Sequence, residues 1–251
     1  MVIFSKPRPF WTSMKFGSRL GDLVMALPGL ERPVSFLRSL LRAQRHALKP
    51  WFGDAYSRWV RHNDTPSRAD IRRCCEQIAT FARQPTISVL MPVFDPRPEI
   101  LDAAIRSVRE QAYPQWELCI ADDASTNSAV AAVIRRHAAA DPRIKVRFRD
   151  ARGNISAASN TALEMASGDF VALFDHDDLL PPLALYWVVE SLNRHPDARI
   201  FFSDEDKVDE HGRRFDPYFK SDFNHALLLA QNMISHLGVY RRDLLVSLGG
   251  F

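Results

Sequence analysis

Three cysteines in 251 residues, the adjacent Cys74 and Cys75 and a lone Cys119 inside the apolar run ELCIA, supply neither a disulfide framework nor a zinc-ligand spacing. A reducing compartment is the expectation. Apolar runs of the about 18 residues that a membrane span needs are absent. The opening MVIFSKPRPFW is interrupted by Lys6, Pro7, Arg8 and Pro9, and the short run LVMALPGL follows Asp22, so neither reads as a secretory leader. The sequence therefore predicts a cytoplasmic protein. It has no internal repeat and no low-complexity tract, which excludes solenoid and linker architectures.

What is present is two unlike stretches. The net charge of +3 hides 15 Lys+Arg against 6 Asp+Glu up to residue 83, and 18 against 24 after it. From Arg32 to about Arg83 the texture is basic and helical. SFLRSLLRAQRHALKPWF sets Phe36, Leu37, Leu40 and Leu41 against Arg38, Arg42 and Arg45. Two readings stay open for this amphipathic stretch: a helix lying on an anionic membrane surface or a partner, or a helix packed on the neighbouring domain. Nucleic acid is not indicated, because the basic residues come with no reader motif.

Beyond residue 84 the pattern alternates. ISVLMPV (87–93) is a continuous β-branched and aliphatic run of the kind a strand buried on both faces needs. A helix follows from about Glu99, with Ile100, Leu101, Ala104, Ile105 and Val108 at helical spacing. ELCIA precedes a helix over SAVAAVIRRHAAA, with Ser125 or Thr126 as its cap. IKVRF (144–148) precedes one that starts near Asn154 or Ser156 and stops at Gly168. FVALF (170–174) precedes one whose first turn holds Pro181 and Pro182. Four strand-then-helix units predict an α/β, doubly wound, mainly parallel sheet. After ARIFF (198–202) the alternation gives way to a polar, loop-rich tract with a turn at His211 and Gly212.

Open parallel sheets bind ligands outside the carboxyl ends of their strands. Acids fall at those ends: Asp95 after the first strand, Asp122 and Asp123 after the second, and Asp175, Asp177 and Asp178 after the fourth. Clustered carboxylates are costly unless a cation neutralises them. Oxygen ligands suit Mg²⁺ or Mn²⁺, commonly shared with substrate phosphates. The Asp-x-Asp of Asp175 and Asp177 therefore points to a metal that arrives with a diphosphate.

The series ISVLMPVFD, ELCIADDAST, GNISAASNTALEMASGDFVALFDHDD and LGGF, spanning residues 86–251, resembles the family 2 glycosyltransferases, inverting nucleotide-sugar enzymes with the A-type fold. The tract FFSDEDKVDEHGRRFDPYFKSDF is similar to the subgroup of bacterial surface polysaccharide and O-antigen assembly. The resemblance implies a basic helical extension over 1–83 and a nucleotide-sugar domain over 84–251. It also implies a nucleoside-diphosphate sugar donor for a hexosyl or deoxyhexosyl transfer, and a glycan or lipid-linked acceptor. Peripheral membrane contact would run through the basic helices. Pro92, Val93 and Phe94 would line the nucleotide base, which one of Asp122 and Asp123 would bond. Gly153, Asn154 and Asn160 would lie along the nucleoside, and Arg152 would reach a phosphate. Asp175 and Asp177 would hold ribose and metal, with His176 between them as pocket wall or solvated spacer. His236 is either a further metal or phosphate contact or a structural residue. Asp95 stands where the family often has asparagine, and its charge has no role in this scheme.

An inverting transfer needs a general base. In the resembled family it lies a little beyond the Gly-Gly-Phe element, which here is Gly249, Gly250 and Phe251. The resemblance thus implies a base beyond Phe251, with Asp204, Glu205 and Asp206 as the dense alternative within the sequence. A non-catalytic nucleotide-sugar-binding or partner-binding module is the alternative function. A nucleotidyltransferase would want a glycine in the phosphate loop, and VFDPRPE has none.

Overall fold

The structure, a computed structural model, describes residues 2–5 and 55–251. The amphipathic stretch at 36–45, the run at 23–30 and the membrane contact expected from the basic helices lie outside the described residues. Two compact units divide the chain: Arg8–Asn63, and Met1–Pro7 with Asp64–Phe251. In the first, helix α1 (Ala55–Asn63) stacks the rings of Tyr56 and Trp59 with centroids 5.8 Å apart.

The boundary falls twenty residues earlier than the charge shift at 83 suggests. Helix α2 (Arg68–Ile78), closed by a capping box between Ser67 and Asp70, belongs to the second unit because its apolar face is part of the main core. Ile78 is buried there, Ile71, Cys74 and Phe81 pack against it, and the Tyr186 hydroxyl donates to Gln77 at 2.8 Å.

The central sheet follows the alternation read from the sequence. Strands β2 (Ile87–Val93), β3 (Trp116–Asp122), β4 (Ile144–Phe148) and β5 (Phe170–Leu173) are mutually parallel, in the order β4-β3-β2-β5. Their helices are α3 (Pro98–Arg109), α4 (Ser128–Ala140), α5 (Asn154–Met165) and α6 (Ala184–Arg194). The sheet is continued by β9 (Gly238–Arg241), antiparallel to β5, and then by β6 (Ile200–Phe202) at the edge. A second, small antiparallel sheet joins β1 (Val2–Ser5), β7 (Asp204–Val208) and β8 (Arg214–Tyr218).

Alternate residues of β2 face two cores, which is the physical meaning of its unbroken apolar run. Ile87, Val89, Met91 and Val93 pack with α3, α4 and α6, while Leu90 packs with Ala158 and Ala162 of α5 and with Leu245. Leu245 lies on the short helix α8 (Arg242–Ser247), which follows helix α7 (His225–Ala230) and β9. Pro92 is tolerated in this central strand because β5 pairs β2 only as far as Leu90.

Three punctuation marks are used differently from the expectation. Asn127, not Ser125 or Thr126, caps α4. Pro181 and Pro182 precede α6 instead of opening it, and their carbonyls accept from Gln111 Nε2 and from the Ala112 amide, each at 2.8 Å. Helix α5 ends at Met165 on an extended Ala166. Gly168 is required by close approach: a Cβ there would lie 2.5 Å from the Thr86 carbonyl oxygen. The turn at Gly212 forms as read, with φ +76°.

Beside Gly168, buried Glu117 ties three strands together. It accepts from Ser88 Oγ (2.7 Å), the Ser167 amide (2.6 Å) and Ser167 Oγ (2.8 Å), and pairs with Lys145 at 2.6 Å. Burial alone would raise its carboxyl, but the bonds from Lys145, Ser167 and Ser88 outweigh burial and hold it at about 2, below its ordinary 4.5. A depressed carboxyl stabilises the fold above its unfolded value, and that stabilisation is lost as pH falls through the folded one. We expect Glu117→Gln to be less stable by about 3 kcal/mol at pH 7. The gap to wild type should narrow between pH 4.5 and 2, as urea unfolding across that range would show.

Candidate functional site

The chain runs outward from β2 through β3 to β4 and then returns to the other side of β2 as β5, so the direction of winding reverses between β2 and β5. Such a reversal opens a crevice at the carboxyl ends of the two strands. The loops after β2, β3 and β5 meet at this rim, as do residues that lead into β9. Strand β9 runs opposite to β5, so its first residue, and not its last, lies on the rim side.

The adjacent acids after β3 have different duties. Asp123, 2% exposed, accepts the Gly153 amide on both oxygens (2.9 and 3.1 Å) and pairs with Arg149 Nε at 2.9 Å. Gly153 is favoured by close approach, since a Cβ would lie 2.7 Å from the Ala157 Cβ. Asp122, 4% exposed, accepts only the Ser125 amide, on Oδ2 at 3.1 Å; its Oδ1 is buried with no hydrogen-bond partner among the described residues. A buried carboxylate oxygen without a donor is costly and marks a place for one.

Asp95, whose charge lacked a reason in the sequence, is a loop anchor. At φ +44° it accepts the amides of Thr126 (2.8 Å) and Asn127 (3.0 Å) and the Thr126 hydroxyl (2.8 Å), while its own amide donates to Ser125 Oγ. Chiefly through the Asn127 and Thr126 bonds, its carboxyl is held below the usual range. Asparagine would offer one such acceptor oxygen where the carboxylate offers two. Next to it, the Arg152 guanidinium lies over the Phe94 ring, 3.9 Å from the centroid.

On the other side of the crevice, His176 Nδ1 lies 3.2 Å from the Pro92 carbonyl oxygen, to which it donates when protonated there, tying the β5 loop to the end of β2. Asp175, Asp178 and His236 offer ligand atoms that all lie within 4.8 Å of one another. His236 Nε2 is 3.7 Å from Asp175 and its Nδ1 is 3.5 Å from Asp178. Asp178 is 3% exposed; Asp177 is exposed and outside this group. Two carboxylates and an imidazole suit Mn²⁺ better than Mg²⁺, which favours an all-oxygen shell. The donor set therefore fits a divalent ion.

The acidic run Asp204, Glu205 and Asp206 is no solvated loop. It forms β7, and its charges are met internally: Asp206 by Arg214 (2.7 Å), Glu205 by Lys220 (3.0 Å), and Asp204 by the Lys220 amide (2.7 Å). Charges neutralised by cations distant in sequence read as a polar tract, which hides the strand.

Of the residues expected to form the site, the rim brings together Phe94, Asp122, Arg152, Gly153, Asp175 and His176. Asn154 opens α5, exposed and at φ +65°. Four expectations change. Pro92 and Val93 are buried in β2, so their side chains line no open pocket. Asp123 is committed to Gly153 and Arg149. Asn160 donates to the Phe251 carbonyl (3.0 Å) and accepts its amide (2.9 Å), which occupies the group expected along the nucleoside. Asp178, given no ligand role in the sequence reading, stands with Asp175 and His236 where Asp177 was expected. Three acids in a row of four give no sequence signal for which of them turns inward.

A family profile described as "Glycosyl transferase family 2" matches residues 88–249. The uncharacterized protein y4gI of Sinorhizobium fredii is 50% identical over 179 residues, covering 71% of this chain and 20% of that protein. The O-antigen biosynthesis protein RfbC of Myxococcus xanthus is 34% identical over 175 residues, covering 70% of this chain and 14% of that protein. The chain thus spans a fifth or less of the length of these relatives. The mannosyltransferase PcManGT of Pyrobaculum calidifontis, solved in complex with GDP-Man and Mn²⁺, shares the fold with a TM-score of 0.52 at 23% identity, over 72% of this chain and 53% of that one. Among the described residues no helix is long and apolar enough to cross a membrane.

Proposed function

Because this chain belongs to glycosyl transferase family 2, we propose that it holds a nucleoside-diphosphate sugar in the crevice between β2 and β5. From there the sugar passes, with inversion, to a glycan or lipid-linked acceptor in surface polysaccharide synthesis. The observation that carries the reading is the meeting, on one rim, of a buried acceptor lacking a donor, Asp122 Oδ1, with a three-ligand cluster, Asp175, Asp178 and His236. The name of the Myxococcus relative, an O-antigen biosynthesis protein, supports the pathway, and the GDP-Man and Mn²⁺ of the archaeal structure support donor and metal.

In this reading Asp122 Oδ1 accepts an N–H of the base, which selects bases that present a donor there. Phe94 and Arg152 flank the base side of the crevice, and the Arg152 guanidinium, exposed at its rim, is the charge available to a phosphate. Asp175, Asp178 and His236 would hold Mn²⁺ or Mg²⁺. A divalent ion bound there supplies the Lewis acidity that stabilises charge on a departing diphosphate. His176 keeps the β5 loop against β2, and so fixes the width of the crevice. The general base is assigned to none of Asp204, Glu205 and Asp206, whose carboxylates each already accept from Arg214 or Lys220.

Calorimetry with UDP, GDP and dTDP, each with and without Mn²⁺, tests this. At least one should bind, and by roughly tenfold or more tighter with the ion, a difference of about 1.4 kcal/mol. Binding of none of them, or binding indifferent to Mn²⁺, overturns the reading.

A further inference from the structure

The imidazole of the proposed cluster is held from behind by a buried cation. Lys220, with its side chain 1% exposed, follows β8 and directs its ammonium at three acceptors: Glu205 Oε2 (3.0 Å), the Ile234 carbonyl (2.6 Å) and the His236 carbonyl. Three N–H groups meet three oxygens, so the ammonium is satisfied. Glu205 completes the arrangement from β7. Its Oε2 also accepts the His236 amide at 3.0 Å, and its Oε1 accepts Ser235 Oγ at 3.3 Å. Both backbone polar groups of His236 therefore end on this one ion pair.

A methionine-like side chain would fill the same volume without the cost of stripping water from a charge. Holding a helix or strand would not require that cost, since backbone partners do it. The backbone of Ile234–His236 is met by side chains: Lys220 donates to the Ile234 and His236 carbonyls, the His236 amide donates to Glu205, and the Ser235 amide donates to Asn232 Oδ1 at 3.1 Å. What this segment carries is the one nitrogen ligand of the cluster. We propose that Lys220 and Glu205 are positioning residues for the metal and diphosphate site, acting through the backbone of His236 to set its imidazole against Asp175 and Asp178. The assignment rests on the metal reading given above.

The test is a double-mutant cycle read as Mn²⁺ affinity, by electron paramagnetic resonance, in the presence of whichever of UDP, GDP or dTDP the calorimetry finds bound. Lys220→Met should weaken Mn²⁺ by roughly 10- to 100-fold, the range for groups that orient a metal ligand. Binding of the same nucleotide without metal should change by less than about twofold, within the scatter of uncoupled sites. His236→Ala should give a similar loss, and the double variant should be no worse than His236→Ala alone, since residues acting through one group are not additive. Lys220→Arg should recover part of the affinity. Additive losses, or equal losses with and without Mn²⁺, overturn the positioning role and leave a merely structural one.

Should Lys220→Met fail to fold, Glu205→Gln carries the test, because it keeps an acceptor for the His236 amide while removing the partner charge. A smaller loss of the same sign is expected, and unchanged Mn²⁺ affinity in that variant overturns the proposal. A wild type indifferent to Mn²⁺ removes the metal reading and this assignment with it. A metal-dependent wild type whose Lys220 and Glu205 variants keep its Mn²⁺ affinity removes only the assignment.

Discussion

Asp175→Asn should remove the Mn²⁺ enhancement of nucleotide binding, by about 100-fold or more in ion affinity, beyond the range for groups that only orient a ligand. The amide keeps the size of the side chain and removes the charge that the ion would neutralise. The fold should tolerate it, because the Asp175 side chain is 39% exposed and lies outside both cores. Circular dichroism and the melting temperature should therefore stay close to wild type while binding collapses. The neighbouring acids separate two versions of the site. Asp178→Asn should cost more than Asp177→Asn in ion affinity, since only Asp178 shares the 4.8 Å group with His236. The reverse order would put the ion on the outer carboxylate and make Asp178 a support for the turn.

Arg214→Met should give the largest loss of stability, on the order of 3–5 kcal/mol, the cost of leaving buried charge uncompensated. The guanidinium bonds Asp206 through Nε at 2.7 Å and pairs with Asp64 at 2.6 Å; the carboxylate side chains are 1% and 10% exposed. A typical domain has only about 5–15 kcal/mol in total, so a midpoint shift in urea should be plain. Burial opposes the guanidinium charge, yet Asp64 and Asp206 together raise its pKa above the usual arginine value, which marks the triad as tightly paired. Replacing all three residues with apolar ones should recover part of the loss. Full additivity of the three single changes would mean the triad is not a unit.

Much of the fold is legible because buried strands announce themselves. ISVLMPV cannot be half-exposed, and its two cores follow from that alone. The acids at the strand ends are likewise visible, since position after a buried run is a one-dimensional property. What each acid does is not visible. Asp122 and Asp123 are neighbours of identical chemistry, and only the Gly153 amide and Arg149 distinguish them. Asn160 reads as a polar residue on a helix near the site; its bond to Phe251 depends on a turn at Gly249 and Gly250 that brings distant backbone to it. Strand β7, DEDKV, carries a charge pattern that propensity assigns to a loop, and the cations that make it a strand lie in other segments of the sequence. The same long separation hides Lys220 from any reading of motifs.

The reversed direction of β9 has a consequence in time. The β2–β3 and β3–β4 pairings join segments that follow one another with a single helix between them. The β2–β5 pairing instead closes a loop of three helices and two strands, and the register of Phe170–Ala172 with Val239–Arg241 closes one that contains α6, β6, β7, β8 and α7. Closing loops of that length defers both sets of contacts until after the local pairings. Strands β2, β3 and β4, with Asp122 at their rim, can thus assemble while Asp175 and His236 are still absent from it. Ligand-holding capacity is then the last property the domain gains on folding and, by the same ordering, the first it gives up when the β5–β9 seam opens.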